Sequence, residues 1–137
     1  MSETMSRTNF LAADLVAAIN ATAVEGTDFT SQVIKVGSYG RIGLTFYVLG
    51  GHASCAQAVT FKFASKDTIR GTWDTIDPIN DGAGIAVAMN GTTAVQKTIV
   101  LSTGFEYLKL LSVQNPETVA DYTATVNVSV FLADRVD

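Results

Sequence analysis

The sequence is poor in the residues from which most catalytic sites are built. It contains one cysteine, Cys55, and one histidine, His52, among its 137 residues. A single cysteine excludes an internal disulfide, and a buried, inert thiol is the expectation for Cys55. Cysteine catalysis needs a base and a third group that orients it, and no second histidine is present to supply alternatives. We therefore predict no enzymatic activity, no catalytic residues and no cofactor.

Charge is also scarce. Charged residues make up 16% of the chain, against about 25% in an average globular domain. The net charge is −4, and the nine lysines and arginines are scattered without forming a basic stripe, which argues against a nucleic-acid partner. No apolar run reaches the roughly 18 residues that a membrane span requires, and Asp14 interrupts the apolar segment 10–19 that loosely imitates a signal peptide. Low charge predicts a surface partly covered by protein partners.

Apolar and polar residues alternate along most of the chain, as expected for strands with one buried face. Turns containing glycine or proline separate seven or eight such segments, and no helical segment lies between them. This pattern predicts an all-β fold, an antiparallel two-sheet β-sandwich or jelly roll. The predicted core contains the inward residues of these strands, Leu44, Phe46, Phe61, Phe63, Leu108, Leu110, Val126, Val128 and Val130.

Two other parts of the chain lack this clear alternation. Residues 1–9 are polar and aperiodic, which predicts a flexible N-terminal arm before a single β-sandwich domain over residues 10–137. Segment 10–24 fits either a short helix or a first strand, and the strand is favoured because every later element is β. The longest irregular region, 77–91, is the expected position of a functional loop.

Two groups of residues suggest ligand binding, and each has a simpler interpretation. Asp74, Asp77 and Asp81 could hold calcium, but Ile79 stands where a ligand is needed, so ordinary turn chemistry and no metal site are expected. Trp73 could stack against sugars together with other aromatic residues. Its position among the strands instead favours packing between the sheets.

Two strands carry unusual outward faces. Segment 105–113 has apolar residues on both faces, which is typical of a strand covered by a loop or by another subunit. The final strand has Thr, Asn and Ser on its outward face rather than charges, which indicates that this face is covered too. The candidate interface residues are Tyr107, Lys109, Leu111, Val113, Thr123, Thr125 and Asn127.

Three pieces of the chain, in this order, resemble a known family. The pieces are Val36-Gly-Ser-Tyr39 before segment 41–48, segment 59–65 before Thr72-Trp73, and Tyr107-Leu-Lys-Leu110 before the final strand. They resemble the small β-sandwich decoration or cement proteins of tailed-bacteriophage heads. The resemblance covers residues 33–132, and it departs from the common pattern in the long 77–91 loop and the long N-terminal lead.

The resemblance implies a non-enzymatic virion structural protein, made in the host cytoplasm and bound to the outer surface of the capsid. Its partner would be the major capsid protein, whose subunits it would bridge. Low charge and uncharged outer faces also predict self-association, as a homodimer or alternatively a homotrimer. The alternative function is a carbohydrate-binding or adhesin-like β-sandwich module of a tail fibre. An exposed Trp73 would favour that alternative, and a buried Trp73 would favour the cement protein.

Overall fold

The computed structural model describes residues 5–37, 39–67, 71–74, 79, 82–102 and 104–133. These residues form ten strands, which are β1 (Met5–Asn9), β2 (Leu15–Ala17), β3 (Ala21–Val24), β4 (Ile34–Lys35), β5 (Arg41–Gly50), β6 (Ala58–Lys66), β7 (Ile85–Ala88), β8 (Val95–Ser102), β9 (Tyr107–Asn115) and β10 (Ala124–Ala133). Segment 10–24 contains β2 and β3, so the strand alternative for this region is confirmed. In the part of the chain that is described, no helix is long and apolar enough to cross a membrane.

The strands form two antiparallel sheets of five strands each. In the first sheet, β1 and β2 pair with the same edge of β10, which is followed by β5 and β8. In the second sheet, β3 and β4 pair with the same edge of β9, which is followed by β6 and β7. If each of these edge pairs is counted once, the sheets have the eight strand positions and the strand order of a jelly roll. The predicted fold class is confirmed.

The core lies between the two sheets and contains every residue that the alternation assigned to it. All nine predicted core residues have no solvent exposure. Phe46 from the first sheet contacts two aromatic rings of the second, with centroids 5.0 Å from Phe61 and 6.2 Å from Phe63. Phe10, which follows β1, packs edge-on against Phe63 at 5.6 Å. Aromatic rings from both sheets therefore pack against one another at the centre of the sandwich.

The predicted flexible arm is wrong for residues 5–9. These residues form β1, which pairs along its whole length with the end of β10. The first sheet thus begins at residue 5 rather than at residue 10. A polar edge strand on a solvated face shows little hydrophobic alternation, so its sequence does not distinguish it from a tail. The first four residues of the predicted arm lie outside the described residues.

A β-bulge in β9 reverses the alternation of its side chains. Phe61 lies opposite Val113, whereas Phe63 lies opposite Leu110, so β9 has one more residue than β6 over this interval. The extra residue places Leu111 outside the regular pairing and turns the following residues to the other face. Val113, predicted at an interface, is consequently buried in the core with no exposure. The bulge therefore accounts for the apolar Val113, whereas Tyr107, Lys109 and Leu111 stay half-buried on the outer face.

The edge strand β8 pairs only with β5 among the described residues. Its one charged residue is Lys97, which lies opposite the core residue Phe46 and therefore on the inward side of the strand. The Lys97 Nζ atom donates to the Ala86 carbonyl oxygen at 3.4 Å. A lysine that points inward from an edge strand hinders pairing with another chain, because pairing would bury its ammonium group.

We expect Lys97→Val to make the protein self-associate through β8. The substitution removes the ammonium group and leaves a long edge of β-branched residues. Sedimentation velocity over a concentration series measures the effect. The average mass should rise more steeply with concentration for the variant than for the wild type. The matched control is Gln96→Val, which changes the adjacent, outward-facing residue of the same strand. Equal association of the two variants would contradict a protective role of Lys97.

Candidate interaction faces

The seven predicted interface residues do not form one patch. Thr123, Thr125 and Asn127 lie on or next to the outer face of the first sheet. Tyr107, Lys109 and Leu111 lie on the outer face of the second sheet, and Val113 lies in the core. The two outer faces point in opposite directions, so a single partner surface cannot contact both sets. The role of the six surface residues in an interface stays a prediction.

A row of hydrogen-bonded side chains crosses the outer face of the first sheet. The Arg7 Nη1 atom donates to Ser129 Oγ at 2.8 Å and to Thr45 Oγ1 at 3.1 Å. Thr45 Oγ1 and Thr98 Oγ1 form a further hydrogen bond of 3.0 Å. The strand register causes this arrangement, because Ser129 lies opposite Thr45 and Thr45 lies opposite Thr98. The side chains thus link β1, β10, β5 and β8 in one line, and we call this outer face the ladder face.

An apolar row lies beside these hydroxyl groups on the ladder face. Phe131 lies opposite Gly43, and Gly43 lies opposite Val100. Val100 is 60% exposed, and the Arg7 guanidinium lies 5.5 Å from the centre of the Phe131 ring. Gly43, which has no side chain, stands at the centre of this row. The ladder face therefore combines satisfied polar groups with exposed apolar surface.

The two predicted β10 residues lie further along the same face. Asn127 Nδ2 donates to Asp14 Oδ1 at 2.9 Å. Thr125 lies opposite Val16, which is 61% exposed. The loop before β2 thus supplies a carboxylate that holds Asn127 in place. Sequence analysis identified the polar character of this face from β10 alone, but it did not identify the partner side chains from the other strands.

Trp73 does not pack between the sheets, so that prediction is wrong. Two backbone hydrogen bonds between Ser65 and Asp74, of 2.7 and 3.2 Å, hold the Trp73 segment beside β6. The half-buried Trp73 ring has Lys66 Nζ at 4.9 Å and Lys109 Nζ at 4.5 Å from its centre. The ring therefore belongs to the outer face of the second sheet. Trp73 is thus neither fully exposed, as expected for the carbohydrate-binding alternative, nor fully buried, as expected for the cement protein.

The predicted calcium ligands are only partly described. The backbone of Asp74 is held by Ser65, as above, whereas Asp77 and Asp81 lie outside the described residues. Among the residues that are described, no group of three or more His, Cys, Asp or Glu side chains could hold a metal ion.

One end of the sandwich contains the only histidine and the only cysteine of the sequence. His52 Nδ1 accepts a hydrogen bond from the Ser54 backbone nitrogen at 3.0 Å, and its ring stacks on Tyr122 with centroids 4.5 Å apart. Cys55 is buried, as predicted. These contacts give both residues a structural role in the loop between β5 and β6.

Glu117 is a buried carboxylate at the same end, and sequence analysis missed it. It is 4% exposed, and its Oε2 atom accepts hydrogen bonds from the backbone nitrogens of Ala56 at 3.0 Å and Gln57 at 3.1 Å. The carboxylate thus fixes the loop before β6 from a distant part of the chain. No local sequence pattern marks such a contact, since Glu117 reads as an ordinary turn residue after Pro116.

We expect Glu117→Gln to lower the free energy of unfolding by about 1–3 kcal/mol, because the Ala56 and Gln57 backbone nitrogens then donate to a neutral amide oxygen in place of a charged carboxylate oxygen. Urea denaturation measures the change. Glu106→Gln is the matched control, since Glu106 forms a more exposed ion pair with Lys35 at 3.4 Å and should cost less than about 1 kcal/mol. An effect at Glu117 no larger than that at Glu106 would contradict the structural role of the buried carboxylate.

Comparison with known proteins identifies the fold. No family model and no curated protein matches the sequence. The CBM36-1 domain of a multidomain xylanase from the hindgut metagenome of Trinervitermes trinervoides is similar in structure, with a TM-score of 0.53, 9% identity, and coverage of 97% of this chain and 100% of that domain. A CBM36 carbohydrate-binding module in complex with calcium and xylotriose gives a TM-score of 0.51 at 7% identity, covering 92% of this chain and 98% of the module.

Viral proteins are also among the similar structures. The PRD1 vertex protein P5 gives a TM-score of 0.46 at 10% identity, with coverage of 98% of this chain and 96% of the vertex protein. Structural neighbours thus include both carbohydrate-binding modules and viral proteins. At such low identities the likeness to the carbohydrate-binding modules shows the jelly-roll fold and does not assign a function.

Proposed function

We propose that the protein is a non-enzymatic virion structural protein that binds the outer surface of a phage head through its ladder face. Its partner would be the major capsid protein, whose adjacent subunits it bridges. The main support is the hydrogen-bonded row from Arg7 to Thr98, which joins four strands across one sheet face and has Arg7 as its one charged member. The resemblance of the sequence to phage decoration proteins agrees with this role.

The chemistry of the ladder face suits burial against another protein. The hydroxyl groups of Ser129, Thr45 and Thr98 already bond to Arg7 or to one another, so contact with a partner leaves few of them unsatisfied. Val100 and Phe131 add apolar surface, and well-packed apolar centres with polar rims are typical of protein interfaces. A repeating capsid surface would also let many modest contacts act together. Self-association as a homodimer, or alternatively a homotrimer, stays a prediction that mass measurement in solution checks.

We expect Val100→Asp to weaken binding to heads by about tenfold or more, because it buries an unpaired carboxylate in the contact. Co-sedimentation with purified heads that lack the protein measures binding. Val33→Asp is the matched control, since Val33 is 53% exposed and lies next to β4 in the second sheet. If wild-type protein does not sediment with heads, the proposed function is wrong. If both variants bind equally, the ladder face is not the contact.

A carbohydrate-binding or adhesin-like module of a tail fibre is the second candidate function. The position of Trp73, rather than its degree of exposure, supports it, because the ring lies on the outer face of the second sheet and takes no part in the core. Aromatic rings at a surface offer the apolar plane on which a sugar ring can stack. This function would use the face opposite the ladder face, so the two functions do not compete for the same residues.

A further inference from the structure

The outer face of the second sheet has a shallow polar depression of about 160 Å³. Its lining residues come from β3, β9 and β6 and are all polar, namely Thr22, Ser112, Gln114, Thr60 and Lys62. The register brings them together, because Gln114 lies between Thr22 and Thr60, and Ser112 lies opposite Lys62. Three hydroxyl groups, an amide and an ammonium group therefore face one volume, and no carboxylate is among them.

Four of the five lysines of this negatively charged chain, Lys35, Lys62, Lys66 and Lys109, lie in the strands of this sheet. Two exposed carboxylates, Asp67 and Asp74, lie at its Lys66 end. Glu25 neutralises Lys109 at 3.1 Å, and Glu106 neutralises Lys35 at 3.4 Å. Within the described residues, these are the carboxylates that pair with lysines of this sheet, and Lys62 and Lys66 have no such partner. Among the residues that the structure describes, the ammonium groups of Lys62 and Lys66 thus have no ion-pair partner, and they would attract an anionic ligand.

The Trp73 ring lies beyond the polar depression, next to Lys66 of the same sheet. Lys66 lies over the Trp73 ring at 4.9 Å and over the Tyr107 ring at 5.5 Å. Lys62 and Lys66 are four residues apart in one strand, a distance of about 13 Å. A ligand that reaches both the depression and the aromatic ring must therefore be an extended chain.

We propose that this face binds an acidic polysaccharide, a chain of pyranose units that carry carboxylate groups. The hydroxyls and the Gln114 amide would bond to sugar hydroxyl groups, and Lys62 would pair with a carboxylate. Trp73, together with the Lys66 ammonium group above its ring, would contact a sugar unit further along the chain. The inference rests on the second candidate function and adds the class of its ligand. It does not depend on the capsid-binding role of the ladder face.

Affinity electrophoresis in gels that contain alginate or polygalacturonate tests the proposal. We expect at least one of these polysaccharides to retard the wild-type protein, and added salt to reduce the retardation. Lys62→Gln and Trp73→Ala should each weaken binding by about fivefold or more, and Gln114→Ala tests the depression without changing charge or an aromatic ring. Lys35→Gln is the matched control, because it removes the same charge from a lysine that already has a carboxylate partner.

Neutral dextran and duplex DNA provide the decisive comparisons. Retardation by dextran alone, lost in Trp73→Ala but kept in Lys62→Gln, would overturn the acidic class while leaving carbohydrate binding in place. Retardation by none of the polysaccharides would overturn both. Retardation by DNA as strong as that by polygalacturonate would also overturn the proposal, because the face would then attract any polyanion.

Discussion

Phe61→Ala should lower the free energy of unfolding by about 3–5 kcal/mol. The Phe61 ring has no solvent exposure and lies 5.0 Å from the Phe46 ring of the opposite sheet. Its strand neighbours are Val113 in β9 and Ile85 in β7. Removing the ring leaves a cavity between two hydrogen-bonded sheets, whose backbones cannot move together easily to fill it.

Urea denaturation and thermal melting measure this effect. The matched control is Phe131→Ala, which removes the same ring from the outer face of the first sheet, where Phe131 is only half-buried. Its loss should be clearly smaller, since most of a surface cavity fills with water. Equal losses for the two variants would contradict the central position of Phe61 in the core.

Gly50→Ala should destabilise the fold by about 3 kcal/mol, at the upper end of the usual cost of overpacking. Gly50 ends β5 and is buried. A methyl group at this position would collide with the Gly91 carbonyl oxygen and lie 2.9 Å from Cys55 Cβ. Both obstacles belong to fixed parts of neighbouring loops, so relief requires the backbone to move.

The same substitution at Gly40 is the control, because a methyl group there would meet no atom within 4 Å. Gly40→Ala should change stability by less than about 1 kcal/mol, since it only restricts the unfolded chain. Comparison of the two melting curves measures the effect of the close approach at Gly50. If Gly50→Ala melts like Gly40→Ala, the contact between the two loops is looser than the structure indicates.

The core was predictable because strand alternation is a local property. Leu44 and Phe46 in β5, or Val126 and Val128 in β10, show their inward face through spacing alone. The two-sheet architecture followed from the number of such segments and the turns between them. The ladder face was predictable only in its polarity, because its hydrogen bonds join residues of four strands that are distant in the sequence.

The wrong and missed assignments have a common physical cause. Each depends on contacts between distant segments of the chain, which the local sequence does not encode. Val113 was assigned to an interface because a regular alternation was extended through Leu111, where the register with β6 changes. The position of Trp73 among predicted strands indicates a core residue, but the local pattern does not reveal that its segment pairs beside β6 through Ser65 and Asp74. The local sequence predicts only a turn residue at Glu117, and folding brings its carboxylate to the loop before β6.

The pairing of β1 with β10 also has a consequence for how the chain folds. The first and last strands of the described chain lie side by side, and β10 lies between β1 and β5 in the first sheet. On a ribosome, this sheet cannot close until the end of β10 has emerged. Contacts between such distant residues carry a high loop-closure entropy and slow folding. During synthesis the inward faces of β5 and β6 therefore stay without their final cover until β10 pairs, and exposed apolar faces of this kind are prone to aggregation.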